Sequence, residues 1–380
     1  MNPLSETERS PSVTESERVF DKGEHYFNAL IEAINLARSC IKLEVYIFED
    51  DSLGKAVSDA LIRARARNVK VRIILDAIGS YRGLECLSRS WENIGIEVRV
   101  YHPLPWQLNH YPRSLKQGGT LDKALFFLRK INRRDHRKLC VIDHHQLFTG
   151  SFNISAVHLP REQGGDHWRD FGAELCGARV ADIEQQFDVI WQRQPDSHKH
   201  RKIRHYLANI SDWARTHKNL AFEQLIVNAD NKIWLTSAYF APSSRVIRAF
   251  KYAVRRGVEI CIIVPARSDI HLFPFLTATY YKDLLNSGIK VFEYQPRVLH
   301  AKLLIVDQQC ILGSTNFNHR SFLHDLELDI FLIEPSSLHT LESAFKHDLT
   351  HCIALNSTAS NSSAKNWLLQ LLSKTLRYWM

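Results

Sequence analysis

No stretch of the 380 residues approaches the roughly 18 uncharged apolar positions that a bilayer-crossing helix needs, so a spanning segment is not expected. The opening run MNPLSETERSPSVTESER is polar and has no apolar segment behind Met1, which argues against a secretory leader. Cysteine is sparse and scattered: seven residues, at 40, 86, 140, 176, 261, 310 and 352, with no C-x-x-C pair. A disulfide framework or a zinc ribbon is thereby disfavoured, and the thiols read as small core residues in a reducing compartment. The 19 histidines include no H-E-x-x-H, and no glycine-rich phosphate loop leads into a helix. What the chain does have is ordinary globular composition, 45% hydrophobic and 24% charged, enough for two domains or one large duplicated one. Its formal charge of +8 favours a polyanionic partner, either nucleic acid or an anionic membrane surface, and charge alone does not separate them.

Internal repetition organises the rest. Residues 41–48 (IKLEVYIF) match 233–240 (IWLTSAYF), an offset of 192. Apolar runs 69–75 (VKVRIIL) and 258–264 (VEICIIV) match at an offset of 189, and 136–143 (HRKLCVID) matches 300–307 (HAKLLIVD) at 164. The three pairs keep one order, so the halves are duplicates, and the shrinking offset places an insertion in the first half, at about 103–134. In each half apolar strands alternate with amphipathic helical patterns, the signature of a layered α/β sheet. The boundaries expected are a polar tail 1–18, a first half 19–192, a basic linker 193–218, a second half 219–355, and a Ser/Asn-rich stretch with an amphipathic C-terminal segment over 356–380.

Each matched strand contains H-x-K-x4-D: His136, Lys138, Asp143 and His300, Lys302, Asp307. G-S-x-N follows each, with Gly150, Ser151, Asn153 and Gly313, Ser314, Asn316. One such motif is weak; two at equivalent repeat positions are not accidental. Residues i and i+2 of a strand share a face, so each half projects an imidazole and an ammonium together, with a carboxamide after the turn. Lysine charge and amide donors suit the oxygens of a phosphodiester passing through five-coordinate phosphorus. Two histidines suit covalent catalysis, one attacking phosphorus and the other protonating the leaving alcohol. The lysines supply the charge that a metal would otherwise bring, so no metal or other cofactor is expected.

Paired H-x-K-x4-D and G-S-x-N motifs resemble the phospholipase D superfamily over about residues 24–333. That resemblance implies two homologous halves, each a mixed sheet flanked by helices, packed about a pseudo-twofold axis with one shared site. It also implies a carboxylate beyond each asparagine to orient an imidazole, at Glu327 and, less closely spaced, Asp170, while Asp143, Asp307, Ser151 and Ser314 are structural. The segments Tyr239-Phe240-Ala241-Pro242, Phe292-Glu293-Tyr294 and 313–321 (GSTNFNHRS) narrow the likeness to bacterial cardiolipin synthases of the short type without N-terminal membrane helices. The activity implied is phosphatidyl transfer making cardiolipin from phosphatidylglycerol through a phosphatidyl-histidine, with a second phosphatidylglycerol or phosphatidylethanolamine as co-substrate. His136 is given the attack and His300 the proton transfer. The alternatives are a phospholipase D hydrolase yielding phosphatidic acid and a phosphodiesterase nuclease.

The partners this implies are anionic phospholipid and a membrane surface, with no nucleic acid and no obligate protein partner, at the cytoplasmic face of a bacterial inner membrane. Two segments suit that surface. Residues 123–134 (KALFFLRKINRR), with Phe126 and Phe127, read equally as an interfacial helix or as a helix packed on the core. Residues 365–380, with Trp367 and Trp379, read as a membrane-docking segment or as a helix closing the core. A second lipid needs a second groove, for which residues 106–111 and the aromatic run 273–285 are candidates against plain core packing.

Overall fold

The computed structural model describes residues 15–81, 84–103, 106–107, 133–192 and 205–356. The first half forms a seven-stranded sheet in the order β1-β7-β6-β5-β2-β3-β4, from β1 (Ser16–Phe20), β2 (Cys40–Val45), β3 (Lys70–Asp76), β4 (Glu97–Tyr101), β5 (Leu139–Ile142), β6 (Gln146–Gly150) and β7 (Gly172–Cys176). An eight-stranded sheet, β15-β11-β10-β9-β12-β13-β14-β8, makes the second half. Its strands are β8 (Tyr206–Ala208), β9 (Lys232–Ser237), β10 (Glu259–Pro265), β11 (Lys290–Tyr294), β12 (Lys302–Val306), β13 (Gln309–Gly313), β14 (Leu328–Leu332) and β15 (Cys352–Ala354). Apart from β15, the two orders superpose strand for strand.

Parallel neighbours need helical crossovers, and the sequence supplies them. Helix Ser52–Ala66 links β2 to the parallel β3; Asp51 caps its start by accepting from the Gly54 amide at 2.9 Å. Along it Leu53, Val57, Ala60, Leu61 and Ala64 recur at helical spacing and are buried, so the apolar stripe meets the sheet. Ser243 caps the equivalent helix Ser244–Arg255 between β9 and β10.

Strands β5 and β12 are buried at every position, as central strands covered on both faces must be. Period-2 alternation divides their side chains between layers. Leu139 and Val141 join Leu303 and Ile305 in a core shared by both halves, with Phe171, Phe187, Leu328 and Phe345. Cys140 and Ile142 face the outer helices of the first half, while Leu304 and Val306 face those of the second. Two mixed sheets are thus joined through one apolar layer, and the duplication is structural as well as sequential.

The connector expected over 193–218 is shorter than its composition indicates. Tyr206, Leu207 and Ala208 are buried and pair antiparallel with β14 as an edge strand, and the helix Asp212–Val227 follows. Three strand residues behind the basic run 198–205 give too short an apolar signal to read. At the other end, Ser16–Arg18 belong to β1 and pair with β7, inside the span taken as a polar tail. Phe126, Phe127, Trp367 and Trp379 lie outside the described residues, as do 108–132 and 357–380. The aromatic run 273–285 forms the helix Phe273–Asn286, in which Phe273, Leu276 and Leu284 are core residues. Phe273 packs 4.9 Å from the Tyr239 ring, just beyond β9, so this face of the helix is core packing, the alternative weighed for the run.

Candidate active site

The site is assembled by two backbone clips that cross between the halves. Just before β5, the His136 amide donates to the Leu326 carbonyl at 3.0 Å and the Leu326 amide to the Arg134 carbonyl at 2.7 Å. At the equivalent place before β12, the His300 amide donates to the Arg169 carbonyl at 2.8 Å and the Arg169 amide to the Val298 carbonyl at 2.9 Å. Each histidine is therefore held beside the acid-bearing segment of the other half. His136 Nδ1 lies 3.1 Å from Glu327 Oε2, and His300 Nδ1 lies 2.8 Å from Asp170 Oδ1.

The motif glycines permit this geometry. Gly150 has φ 141°, and a Cβ there would come within 2.5 Å of the Phe171 carbonyl oxygen; at Gly313 it would meet the Leu328 carbonyl oxygen at 2.3 Å. Neither position has room for a side chain, because the backbone that follows each acid, at Phe171–Gly172 and Leu328–Asp329, passes directly against it. Ser151 then ties β6 to β7, donating to the Phe171 carbonyl and accepting from the Phe171 amide, both at 3.1 Å. Ser314 does more than its counterpart: besides accepting from the Leu328 amide at 3.0 Å, its hydroxyl donates to Glu327 Oε2.

All of these groups are buried, and burial sets their charge state. Burial and the like charge of Lys138 push the His136 imidazole down to about 3. Burial and Lys302 push His300 down to about 4. Burial with the neighbouring Lys302 brings Lys138 down to about 7, and burial brings Lys302 down to about 8 against the pull of Asp170 and Glu327. Burial alone would raise the two carboxyls, but His136 holds Glu327 down at about 2 and His300 with His158 holds Asp170 well below the aspartate range. Lys302 acts on His136, and Asp170 acts on Lys138, so both sets of side chains share one electrostatic site. At neutral pH both imidazoles are uncharged, with Nδ1–H turned to a carboxylate.

The Nε2 positions differ. Each lysine donates to the carbonyl of its own histidine, Lys138 to His136 at 2.7 Å and Lys302 to His300, but Lys302 Nζ also stands 3.1 Å from His300 Nε2. No hydrogen-bond partner of His136 Nε2 is found among the described residues, which leaves it the more available lone pair. Asn153 accepts from the Ile47 amide at 3.4 Å; Asn316 Oδ1 is buried with no partner among the described residues. Two tyrosines complete the walls: the Tyr46 ring is 5.0 Å from His136, and the Tyr239 ring is 6.2 Å from His300. Neither was singled out as a site residue from sequence, although both lie within the matched segments 41–48 and 233–240. His158, considered below, carries no repeat signal because its counterpart is a serine.

Asp143 and Asp307 lie at the opposite ends of β5 and β12 from the histidines. The Asp143 carboxylate accepts from the amides of Arg38, Ser39 and Cys40 at 2.8, 2.7 and 3.0 Å. Asp307 likewise takes those of Asp230, Asn231 and Lys232 at 2.8, 2.8 and 2.9 Å. Each pins the entry of the neighbouring antiparallel strand, β2 or β9. Burial would raise these carboxyls, but the amide donors hold both below the ordinary aspartate value. Their stabilisation is therefore complete above the unfolded aspartate pKa of about 4 and is lost as pH falls through the lower folded value. Asp143→Ala and Asp307→Ala should each destabilise the fold by about 1–3 kcal/mol in denaturant unfolding at pH 7, with turnover per folded molecule unchanged. A comparable fall in turnover of the folded protein would place these residues in the chemistry instead.

One group of ligand-type side chains stands apart among the described residues: Cys40, His144 and Glu184. Lys42 Nζ is 2.6 Å from Glu184 Oε1, so an ammonium already neutralises that carboxylate. The trio also sits at the start of β2, the end of the sheet away from His136.

Comparison with known proteins agrees with this geometry. The family described as "Cardiolipin synthase, PLD-like domain" matches residues 30–191 and 222–349. A cardiolipin synthase of Halalkalibacterium halodurans is 28% identical over 96% of this chain and 72% of its own length. Cardiolipin synthase A of Pseudomonas aeruginosa is 28% identical over 91% of this chain and 69% of its own length. Among solved structures, phosphatidylserine synthase of Haemophilus influenzae aligns with TM-score 0.69 at 14% identity, covering 96% of this chain and 95% of that one. Polyphosphate kinase of Porphyromonas gingivalis aligns with TM-score 0.60 at 14% identity, over 95% of this chain and 55% of that one, and both likenesses speak to fold. Two mixed sheets in duplicate, two His/Lys pairs in one site and a family match covering most of both halves lead to one conclusion: the chain belongs to the phospholipase D-like cardiolipin synthases and is an enzyme of the phospholipase D-type phosphatidyltransferase class.

Proposed function

We propose that the chain makes cardiolipin from phosphatidylglycerol by double displacement at phosphorus. The observation that carries this reading is the crossed pairing of each imidazole with the acid of the opposite half, with unequal Nε2 environments. His136 Nε2 attacks phosphorus; the bond to the glycerol oxygen breaks, and His300 gives that oxygen its proton. A hydroxyl of a second phosphatidylglycerol then loses its proton to His300 and attacks phosphorus. The phosphorus–nitrogen bond breaks and returns its electron pair to His136. Phosphatidylethanolamine is the alternative co-substrate. Lys138, Lys302, Asn153 and Asn316 bind the phosphoryl oxygens as charge develops on them. The setting is a bacterial membrane surface, approached from the cytoplasmic face. Among the described residues no helix is long and apolar enough to cross a membrane.

Charge balance gives a pH prediction. With Lys138 and Lys302 protonated, the two ammonium groups offset the Asp170 and Glu327 carboxylates, and both imidazoles are neutral. A phosphodiester adds one negative charge, which favours uptake of a proton by the buried set, the proton that His300 needs to act as an acid. Substrate binding near pH 6, where both lysines carry their protons and both imidazoles are neutral, should therefore take up about one proton, read by calorimetry in buffers of different ionisation enthalpy. Values of kcat/KM, which report the free enzyme, should fall as pH rises through about 7 to 8 and the lysines lose charge. A flat profile to pH 9 would contradict the assigned role of the lysines.

The acceptor is tested directly with phosphatidylglycerol vesicles, without metal or nucleotide. Cardiolipin and glycerol should appear together, and added glycerol should reverse the reaction, since each half-reaction exchanges one phosphodiester for another. Phosphatidic acid as the sole product, unaffected by glycerol, would make water the acceptor and the chain a hydrolase.

A further inference from the structure

His158 has no part in the two motifs, yet it is fully buried against the site. It ends the short turn Ala156–His158, five residues after Asn153. Its Nε2 accepts from the Asn153 amide at 3.2 Å. A backbone N–H only donates, so Nε2 carries no proton and Nδ1 must, which fixes the tautomer. That Nδ1 stands 2.9 Å from Asp170 Oδ2, in a bent approach, while His300 takes the other oxygen, Oδ1, at 2.8 Å. Asp170 thus stands between two imidazoles, hydrogen-bonded to His300 and in close contact with His158.

The second half shows what this arrangement does. Five residues after Asn316, the Ser321 hydroxyl accepts from the Asn316 amide at 3.3 Å and donates to Glu327 Oε1 at 2.6 Å. Ser321 and His158 occupy one pseudo-symmetric slot: each accepts from the backbone amide of the asparagine and turns its other side to the acid, Ser321 through a hydrogen bond and His158 through the 2.9 Å contact. The lengths compensate. Glutamate is one carbon longer than aspartate, and imidazole reaches farther than a hydroxymethyl group. A short acid is met by a long partner in one half, and a long acid by a short partner in the other.

We infer that His158 is a positioning residue for His300, fixing the Asp170 carboxylate in the rotamer that holds the His300 imidazole and coupling it to the Asn153 loop. It rests on the catalytic reading above and extends it to a residue outside both motifs. Asp170 and His300 are the titratable groups facing His158; Phe27, Phe152 and Trp168 enclose the rest of the ring.

Two substitutions separate the contacts. His158→Asn places an amide N–H where Nδ1 stands and keeps the contact with Asp170, whereas His158→Gln places its amide near Nε2 and keeps only the contact with the Asn153 amide. In the phosphatidylglycerol vesicle assay, His158→Gln should lower kcat by about 10–100-fold with KM little changed, the usual cost of removing a group that orients a catalytic one. His158→Asn should retain most of the activity. The double variant His158→Ser with Asp170→Glu, which installs the second half's arrangement in the first, should recover at least about tenfold over either single change. Equal losses in the Asn and Gln variants, or a double variant no better than its singles, would overturn the inference. The unmodified chain run in parallel tests the reading it rests on: no cardiolipin there refutes the transferase, while normal product with equal Asn and Gln variants refutes only the role of His158.

Discussion

His136→Ala and His300→Ala are each expected to cut phosphatidyl transfer by at least about 100-fold, the least that losing a nucleophile or general acid normally costs. The double variant should lose little more than the worse single one, because the two imidazoles serve one pair of coupled steps. Folding should survive both changes. Glu327 keeps the Ser314 and Ser321 hydroxyls when His136 is removed, and Asp170 keeps His158 when His300 is removed. Glu327 is not stranded without a hydrogen-bond partner and Asp170 keeps an imidazole at 2.9 Å, which limits the cost of an uncompensated buried charge. Circular dichroism and thermal unfolding check the fold, and product formation from vesicles checks the chemistry. More than about 10% residual activity in either variant would contradict a shared two-histidine mechanism.

The crossed acids should separate the steps. Glu327→Gln and Asp170→Asn keep the size of each side chain but remove the charge that holds its imidazole, and each should lower kcat by about 100- to 10,000-fold. The two losses should differ once the leaving group no longer needs a proton. With a phosphodiester that releases p-nitrophenol, the first-turnover burst in Asp170→Asn should return most of the way toward that of the unmodified chain. No such return is expected for Glu327→Gln, because in the proposed mechanism His136 is the attacking group and Glu327 contacts its Nδ1 across the half-to-half boundary. Rescue of Glu327→Gln and not of Asp170→Asn would reverse the roles of the two histidines.

The duplication, the two motifs and the mixed α/β halves were legible because each signal occurs twice in one order, which chance does not supply. Glu327 and Asp170 were also within reach as candidate acids, although Asp170 lies seventeen residues beyond Asn153 where Glu327 lies eleven beyond Asn316. The extra residues form the turn Arg161–Gln163 and its flanks, a surface excursion that leaves the acid's position intact. Which acid meets which imidazole was not legible. That depends on backbone pairing between Asp135 and Leu326 and between Arg169 and Leu299, contacts that any side chain permits and no pattern marks. His158 stayed hidden for a related reason: its slot is filled by imidazole in one half and hydroxyl in the other, so comparing the halves residue by residue shows no match. The run 273–285 was open between a groove and core packing because aromatics crowd it; Phe273, Leu276, Tyr280 and Leu284 recur at helical spacing on one face and pack in the core.

Mapping the covalent intermediate tests the central claim most directly. The chain would be mixed with phosphatidylglycerol labelled in its phosphoryl group and quenched within the first turnover under conditions that preserve phosphoramidates; the labelled peptide would then be identified after proteolysis. Label on His136, abolished in Glu327→Gln and retained in Asp170→Asn when the p-nitrophenyl substrate is used, is the result the crossed site predicts. Label on His300 would contradict it.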